Sequence, residues 1–161
     1  MLSDYTTPAS VRSVLGVSAM EIKDIVVEDP IYSTALDEVL YGLHPQLVDD
    51  YELAKAAEPK THLQERFVNL VQTFAAYTVA GQMLGSVSMF SAKTIEDSRS
   101  KLERFTDAYK NLRDDVLASL LFMKNKLLAV YALINPDAPV AATVARINVV
   151  NVGLGVDPVT G

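Results

Sequence analysis

The sequence contains no cysteine and no tryptophan, and only 7% of its residues are aromatic. The lack of cysteine excludes disulfide bonds, thiolate metal sites and cysteine nucleophiles. Half of the residues are hydrophobic and 21% are charged, which is typical of a compact helical protein rather than a disordered one. At 161 residues, the chain has the length of one domain with a hydrophobic core.

Basic residues are also scarce. Lysine and arginine together number 14 against 20 acidic residues, which gives a net charge of −6. Tight sequence-independent DNA binding needs many basic side chains, so the balance argues against it, although DNA could still slide past such a surface. Asp4, Thr6, Thr7 and Pro8 stand where a signal peptide would have apolar residues, so none is predicted.

No charged residue occurs between Phe67 and Ala92, where apolar and small residues recur at helical spacing on most faces. Such a helix lies either at the centre of a soluble assembly or in a membrane. Asn69, Gln72 and Gln82 would be costly in lipid, and no tryptophan belt flanks the segment, so we favour the soluble interpretation. A face of small residues predicts close helix–helix packing; its members are Ala80, Gly81, Gly85 and Ser88.

Capping signals divide the N-terminal half into shorter helices. The predicted starts are Thr7-Pro8, Asp29-Pro30, Leu47 and Thr61, and the predicted stops include Gly16, His44-Pro45 and Ala57. The Ser18/Glu21 capping box is predicted to open a short turn through Ile22 and Lys23. A second long helix is predicted to begin at Thr94 or Ser100 and to end at Asn135-Pro136. Its last turns are apolar all round, so we expect that end to be buried or docked.

The last residues differ in character, because prolines exclude helix and valines favour strand. Residues 144–154 read as one strand, and no earlier segment offers a second strand to pair with it. We therefore expect residues 136–161 to form an extended arm that pairs with another chain, a flexible tail being the alternative. The predicted partner-binding residues are Val144, Arg146, Ile147, Val149, Val150, Val152 and Leu154.

The predicted fold is therefore all-α. It comprises a helical domain over residues 1–135, a bundle of two long antiparallel helices with shorter N-terminal helices, and the β-prone C-terminal arm. His44 and His62 lack the partners of a metal or nucleophile–base site. The adjacent carboxylates of Asp49-Asp50 and Asp114-Asp115 point apart on a helix and are interpreted as solvated. No catalytic, metal or cofactor site is predicted.

The segment Tyr5-Thr-Thr-Pro-Ala-Ser-Val-Arg-Ser-Val-Leu-Gly-Val-Ser18, followed by Glu21-Ile-Lys-Asp24, resembles the opening of head–tail adaptor proteins of tailed bacteriophages. These proteins are also called connector or head-completion proteins. The segment Asp97-Ser-Arg-Ser-Lys-Leu-Glu-Arg-Phe105 and the order of the predicted elements are similar to theirs as well. The predicted helix from Leu47 to Ala57 has no clear counterpart in that family.

The resemblance implies a structural virion protein rather than an enzyme. Adaptors of this kind form a dodecameric ring beneath the portal protein, extend the DNA channel, and carry the next neck or tail protein. Their arms reach the portal in several cases. The implied location is the head–tail junction of the virion, after assembly in the host cytoplasm, with no membrane, cofactor or metal. DNA would pass without tight binding.

Two further hypotheses come from other classes of protein. The first is a small holin-like membrane protein that spans the bilayer with residues 67–92. The second is a cytosolic helical-bundle enzyme, which is motivated only by the size of the predicted core.

Overall fold

The structure is a computed structural model that describes the backbone of residues 2–91 and 99–136, and the side chains of residues 2–85 and 110–136. Within these ranges the chain forms six α-helices and one short 3-10 helix, with no strand. The all-α prediction is therefore confirmed for the described part of the chain. The predicted arm lies outside it, so the domain boundary at residue 136 stays a prediction.

The helices of the N-terminal half begin and end close to the predicted starts and stops. After a 3-10 helix over Leu2–Asp4, the helices are α1 (Pro8–Leu15), α2 (Asp24–Val27), α3 (Pro30–Leu43), α4 (Leu47–Ala56), α5 (His62–Ser91) and α6 (Arg99–Ile134).

Local capping explains why these helices begin and end where they do. The Thr7 hydroxyl accepts from the backbone N–H of Ser10 at 3.2 Å, and Gly16 ends α1 with a left-handed φ of 68°. Asp29 caps α3 in the same way, by accepting from the N–H of Ile31 at 3.0 Å. These predicted starts and stops are confirmed, because the residues involved satisfy backbone groups that a helix end leaves open.

Two further contacts between side chains and the backbone lie at the predicted capping positions. Glu21 accepts from the N–H of Ser18 at 2.7 Å and closes a turn over residues 19–22, and α2 begins at Asp24. At the start of α5, the side chain that reaches back to the N–H of Thr61 is Gln64, at 2.9 Å. Glu65 is in the first turn but makes no such bond, so the reciprocal capping box is Thr61/Gln64.

Helix α5 is the centre of the fold, with α1, α3, α4 and α6 packed around it. Its buried side chains occupy several faces and are listed here: Phe67, Val68, Val71, Phe74, Ala75, Ala76, Val79, Ala80, Met83 and Leu84. The hydroxyl of Thr78 is buried and donates to the carbonyl of Phe74 at 2.8 Å. Polar groups of this kind are satisfied within α5 itself, which reconciles a nearly uncharged helix with a few internal threonines.

Helix α6 packs along α5, and the end of α6 contacts the start of α5. The ring of Tyr131, near the end of α6, lies 5.6 Å from the ring of Phe67, near the start of α5. Val116, about four turns earlier in α6, lies beside Gly81 farther along α5, where an added Cβ would be 3.9 Å from its Cγ1. Leu127 and Val130 complete the buried side of α6, whereas its opposite side carries exposed apolar residues.

The N-terminus is tied to α4. The hydroxyl of Tyr51 donates to the carbonyl of Asp4 at 2.8 Å, and the amine of Lys55 donates to the same oxygen at 2.9 Å. The rings of Tyr5 and Tyr51 lie 5.4 Å apart. These contacts hold the segment before α1 against the helices that follow it in the chain.

Candidate functional site

The predicted partner-binding residues of the arm, 144–154, lie outside the described residues, so their role stays a prediction. The predicted small helix face is described in part. Ala80 is fully buried, and a Cβ added at Gly81 would lie 3.9 Å from Cγ1 of Val116, an ordinary contact. A Cβ at Gly85 would meet nothing within 4 Å, and the side chain of Ser88 is not described.

A polar cluster joins the end of α6 to the α3–α4 junction. The Tyr131 hydroxyl donates to Oδ2 of Asp50 at 2.6 Å, and Nδ2 of Asn135 donates to the same oxygen at 3.2 Å. Nδ1 of His44 lies 3.1 Å from the Tyr131 hydroxyl and accepts from the N–H of Gln46 at 3.2 Å. The cluster fixes the point at which the chain leaves α6.

The chemistry of this cluster suits anchoring rather than catalysis. Burial, and then the hydrogen bond to Asp50, raise the pKa of Tyr131 to about 12. The phenol is therefore neutral at physiological pH and is a poor base or nucleophile. His44 is the C-cap of α3, in keeping with the capping interpretation, but Asp50 is half-buried and accepts two hydrogen bonds. Its interpretation as a solvated carboxylate was wrong.

The sequence reasoning missed this cluster. Tyr131 and Asp50 are 81 residues apart, and His44 is 87 residues from Tyr131. A tyrosine in an apolar stripe and an aspartate in a helical first turn carry no local signal that they meet. Only the packing of α6 on α5 brings them together.

Two open grooves flank α5. One, of about 680 Å³, lies between α1 and α5 and is lined by hydroxyl, amide and apolar side chains, with no charged residue. The other, of about 510 Å³, lies between α5 and α6 and includes His62, Glu65, Arg66 and Lys126. Among the residues with described side chains, no group of three or more metal-ligating residues could hold an ion.

Two apolar surfaces remain exposed on different elements. The first, here called the N-terminal knuckle, consists of Met20, Ile25, Val26 and Ile31 in and around α2. The second, here called the α6 stripe, consists of Ala118, Leu121, Phe122, Asn125, Ala129 and Leu133. The side chain of Met20 is 95% exposed and that of Leu133 is 67% exposed. Within the described residues, one side of the apolar end of α6 is therefore covered and the other is exposed.

The exposed stripe also affects the membrane question. Among the described residues, one segment is long and apolar enough to cross a bilayer, and it is Lys110–Ile134 in α6 rather than the uncharged run of α5. An 18-residue window of this segment has a mean hydropathy of 1.6, and 22% of that window is buried. Lys124 and Lys126 lie near its middle, where each charge would be costly in lipid.

Comparisons of the chain with protein-family models, with curated protein sequences and with solved structures find no match.

Proposed function

We propose that this chain is a structural virion protein, a head-to-tail adaptor of a tailed bacteriophage. In this proposal it forms a ring beneath the portal protein, extends the DNA channel, and provides the platform for the next neck or tail protein. The chain is a bundle of two long antiparallel helices with shorter N-terminal helices. Residues 136–161 form an arm that docks on the portal protein.

The observation that carries the proposal is how the arm's root is held. Tyr131 and Asn135 both bond to Asp50, so the last turn of α6 is fastened to the α3–α4 junction just before Pro136. A firm root on a folded domain, followed by a β-prone segment that has no partner strand among the described residues, suits an arm that binds elsewhere.

The local structure of residues 5–24 supports the resemblance in the same direction. The Thr7-Pro8 start, the Gly16 stop and the Ser18/Glu21 contact are the features on which the resemblance depends, and each has its capping geometry. The acidic balance of the chain, with a net charge of −6, suits a conduit that must not retain DNA.

Deletion of residues 137–161 tests the proposal. The helical domain should remain folded by circular dichroism and should no longer bind the portal protein of the same virion. As a matched pair, Val150→Asp, inside the predicted docking segment, should abolish binding, whereas Val159→Asp, beyond it, should leave binding intact. Unchanged portal binding by the deletion variant would refute the docking role of the arm.

A membrane protein is the second candidate, and the exposed, apolar Lys110–Ile134 segment favours it. Most of the large apolar side chains of the run from residue 67 that first suggested a span are buried among other helices, as far as they are described, whereas Asn69 and Gln72 are exposed. Flotation with lipid vesicles separates the candidates. Recovery of the whole protein in the buffer fraction removes the membrane candidate, and co-flotation removes the adaptor proposal.

A further inference from the structure

We propose that copies of this chain associate head to tail, with the N-terminal knuckle of one copy docked on the α6 stripe of the next. The inference deepens the adaptor proposal, and it rests on that proposal only for the closure of the contact into a ring. The contact itself is argued from exposure, charge and the packing of the elements that carry the two surfaces.

The backbone of the N-terminal knuckle is held in place by contacts with the rest of the chain. Val27 is fully buried and anchors α2 in the core, and the guanidinium of Arg12 bonds both to Asp24 and to the carbonyl of Ile22. Glu21 closes the preceding turn through Ser18. Met20, Ile25, Val26 and Ile31 are thus displayed outward without being part of the chain's own core.

The two surfaces carry opposite charge. Around the knuckle, residues 18–31 include four carboxylates and one amine; the carboxylates are Glu21, Asp24, Glu28 and Asp29, and the amine is Lys23. In the C-terminal half of α6, residues 117–136 include Lys124 and Lys126 and no acidic residue. No ion pair within the described residues joins either lysine to a carboxylate. Both amines therefore remain available to a partner's carboxylates.

The opposite net charges of the two surfaces favour contact of the knuckle of one copy with the α6 stripe of another. A two-fold contact centred on either surface alone would bring like charges together, which is unfavourable. Pairing the knuckle with the α6 stripe brings opposite charges together around an apolar centre. The two surfaces lie on different elements, since the knuckle is on α2, which packs on α1, and the stripe is on α6, which packs on α5. A repeated contact of this kind builds a ring or a filament.

Phe122 is the residue we place at the middle of the contact. Its ring is 55% exposed, and the amine of Lys126 lies 4.3 Å from the ring centroid. Aromatic residues beside a cation are frequent at the centres of protein interfaces. Leu121 precedes it in α6 and is 57% exposed, so two large apolar side chains of the α6 stripe are exposed here.

The absence of cysteine from the chain permits a direct test by disulfide trapping. Met20→Cys and Leu121→Cys are prepared separately, mixed at several hundred micromolar and oxidised mildly. The mixed disulfide should form several-fold faster than either homodimer. It should also slow several-fold at about 1 M salt, where the Debye length is about 3 Å. The control pairs Leu121→Cys with Leu53→Cys, which lies on α4 and is 70% exposed.

Charge reversal makes the test specific. Lys124→Glu together with Lys126→Glu, introduced into the Leu121→Cys chain, should reduce trapping to the level of the Leu53→Cys control. When this chain is mixed with a Met20→Cys chain that also carries Glu28→Lys, part of the trapping rate should be restored. Trapping no faster than the control, or a Leu121→Cys homodimer as the main product, would overturn the proposal. Vesicle protection of Leu121→Cys from a soluble thiol reagent would overturn it in favour of a lipid contact.

The result is distinguishable from the fate of the adaptor proposal. Failed trapping with intact arm-dependent portal binding removes the head-to-tail contact and leaves the adaptor function standing. If trapping is specific but deletion of residues 137–161 does not change portal binding, the head-to-tail contact is supported and the docking role of the arm is refuted.

Discussion

The hydroxyl of Tyr131 donates to Oδ2 of Asp50 at 2.6 Å and connects the last turn of α6 with α4. The carboxylate is half-buried and receives only one other side-chain hydrogen bond, from Asn135 at 3.2 Å. Removing the phenol oxygen therefore leaves a half-buried negative charge with one hydrogen bond fewer, which is the costly side of a broken hydrogen bond.

Tyr131→Phe should lower the free energy of unfolding by about 1–3 kcal/mol. Urea denaturation followed by circular dichroism measures the change. Tyr41→Phe is the matched control, because Tyr41 is 61% exposed on α3, and it should change stability by less than about 0.5 kcal/mol. Equal effects of the two substitutions would contradict an anchoring role for Tyr131.

Alkaline pH should destabilise the protein through the same residue. The pKa of Tyr131 is raised to about 12, above the ordinary value near 10, by burial and by the bond to Asp50. The stabilising effect is therefore complete below about pH 10 and is lost as the pH rises to about 12, since the unfolded chain releases this proton first. We expect a loss of about 1 kcal/mol per pH unit in that window from this group.

The slope of stability against pH shows whether Tyr131 causes this loss. Tyr131→Phe should flatten the pH dependence of urea midpoints between about pH 10 and 12, while Tyr41→Phe keeps the wild-type slope. Burial, followed by the charge of Asp37, also raises the pKa of Tyr5 to about 12, so some alkaline sensitivity should persist in Tyr131→Phe. Complete retention of the original slope would show that Tyr131 is not responsible.

Gly81→Ala separates packing within the chain from packing between copies. The new methyl group would lie 3.9 Å from Val116, and alanine is favoured over glycine inside a helix by about 1 kcal/mol. The free energy of unfolding should therefore rise by about 0.5–1 kcal/mol. If the small face is used by a neighbouring copy, assembly should weaken in spite of this gain. Gly42→Ala in α3, where a Cβ meets nothing within 4 Å, should stabilise without affecting assembly.

Gly16→Ala should lower the free energy of unfolding, which is the opposite of the effect expected for Gly81→Ala. Gly16 ends α1 with φ at 68°, in the left-handed region that is unfavourable for residues with a side chain. The substitution should cost about 1 kcal/mol, as measured by thermal or urea unfolding. A neutral or stabilising result would mean that the end of α1 does not require this backbone conformation.

Sequence reasoning located helices where the signal is local. Thr7-Pro8, Asp29-Pro30 and Thr61 each mark a helix start through a capping side chain a few residues away. The fourth helix was expected over 47–57 and is found over 47–56, and the last is described from Arg99 onward. Where a helix start depends on hydrogen bonds within one turn, the local sequence is enough to predict it.

Long-range features were not accessible in the same way. In α6, Val116 and Leu127 share one face at helical spacing, and both are buried. The spacing alone could not reveal that Leu133, on another face of the same helix, is left exposed. Helical spacing reports which residues share a face, whereas coverage depends on how many neighbours the fold supplies.

The attachment of Asn135 and Tyr131 to a single carboxylate has a mechanical consequence. Tension applied beyond Pro136 would reach α4 and the α3–α4 junction through Asp50 before it could unwind the last turn of α6. The load would thus be shared by two elements, and the end of the longest helix would resist fraying under a steady pull.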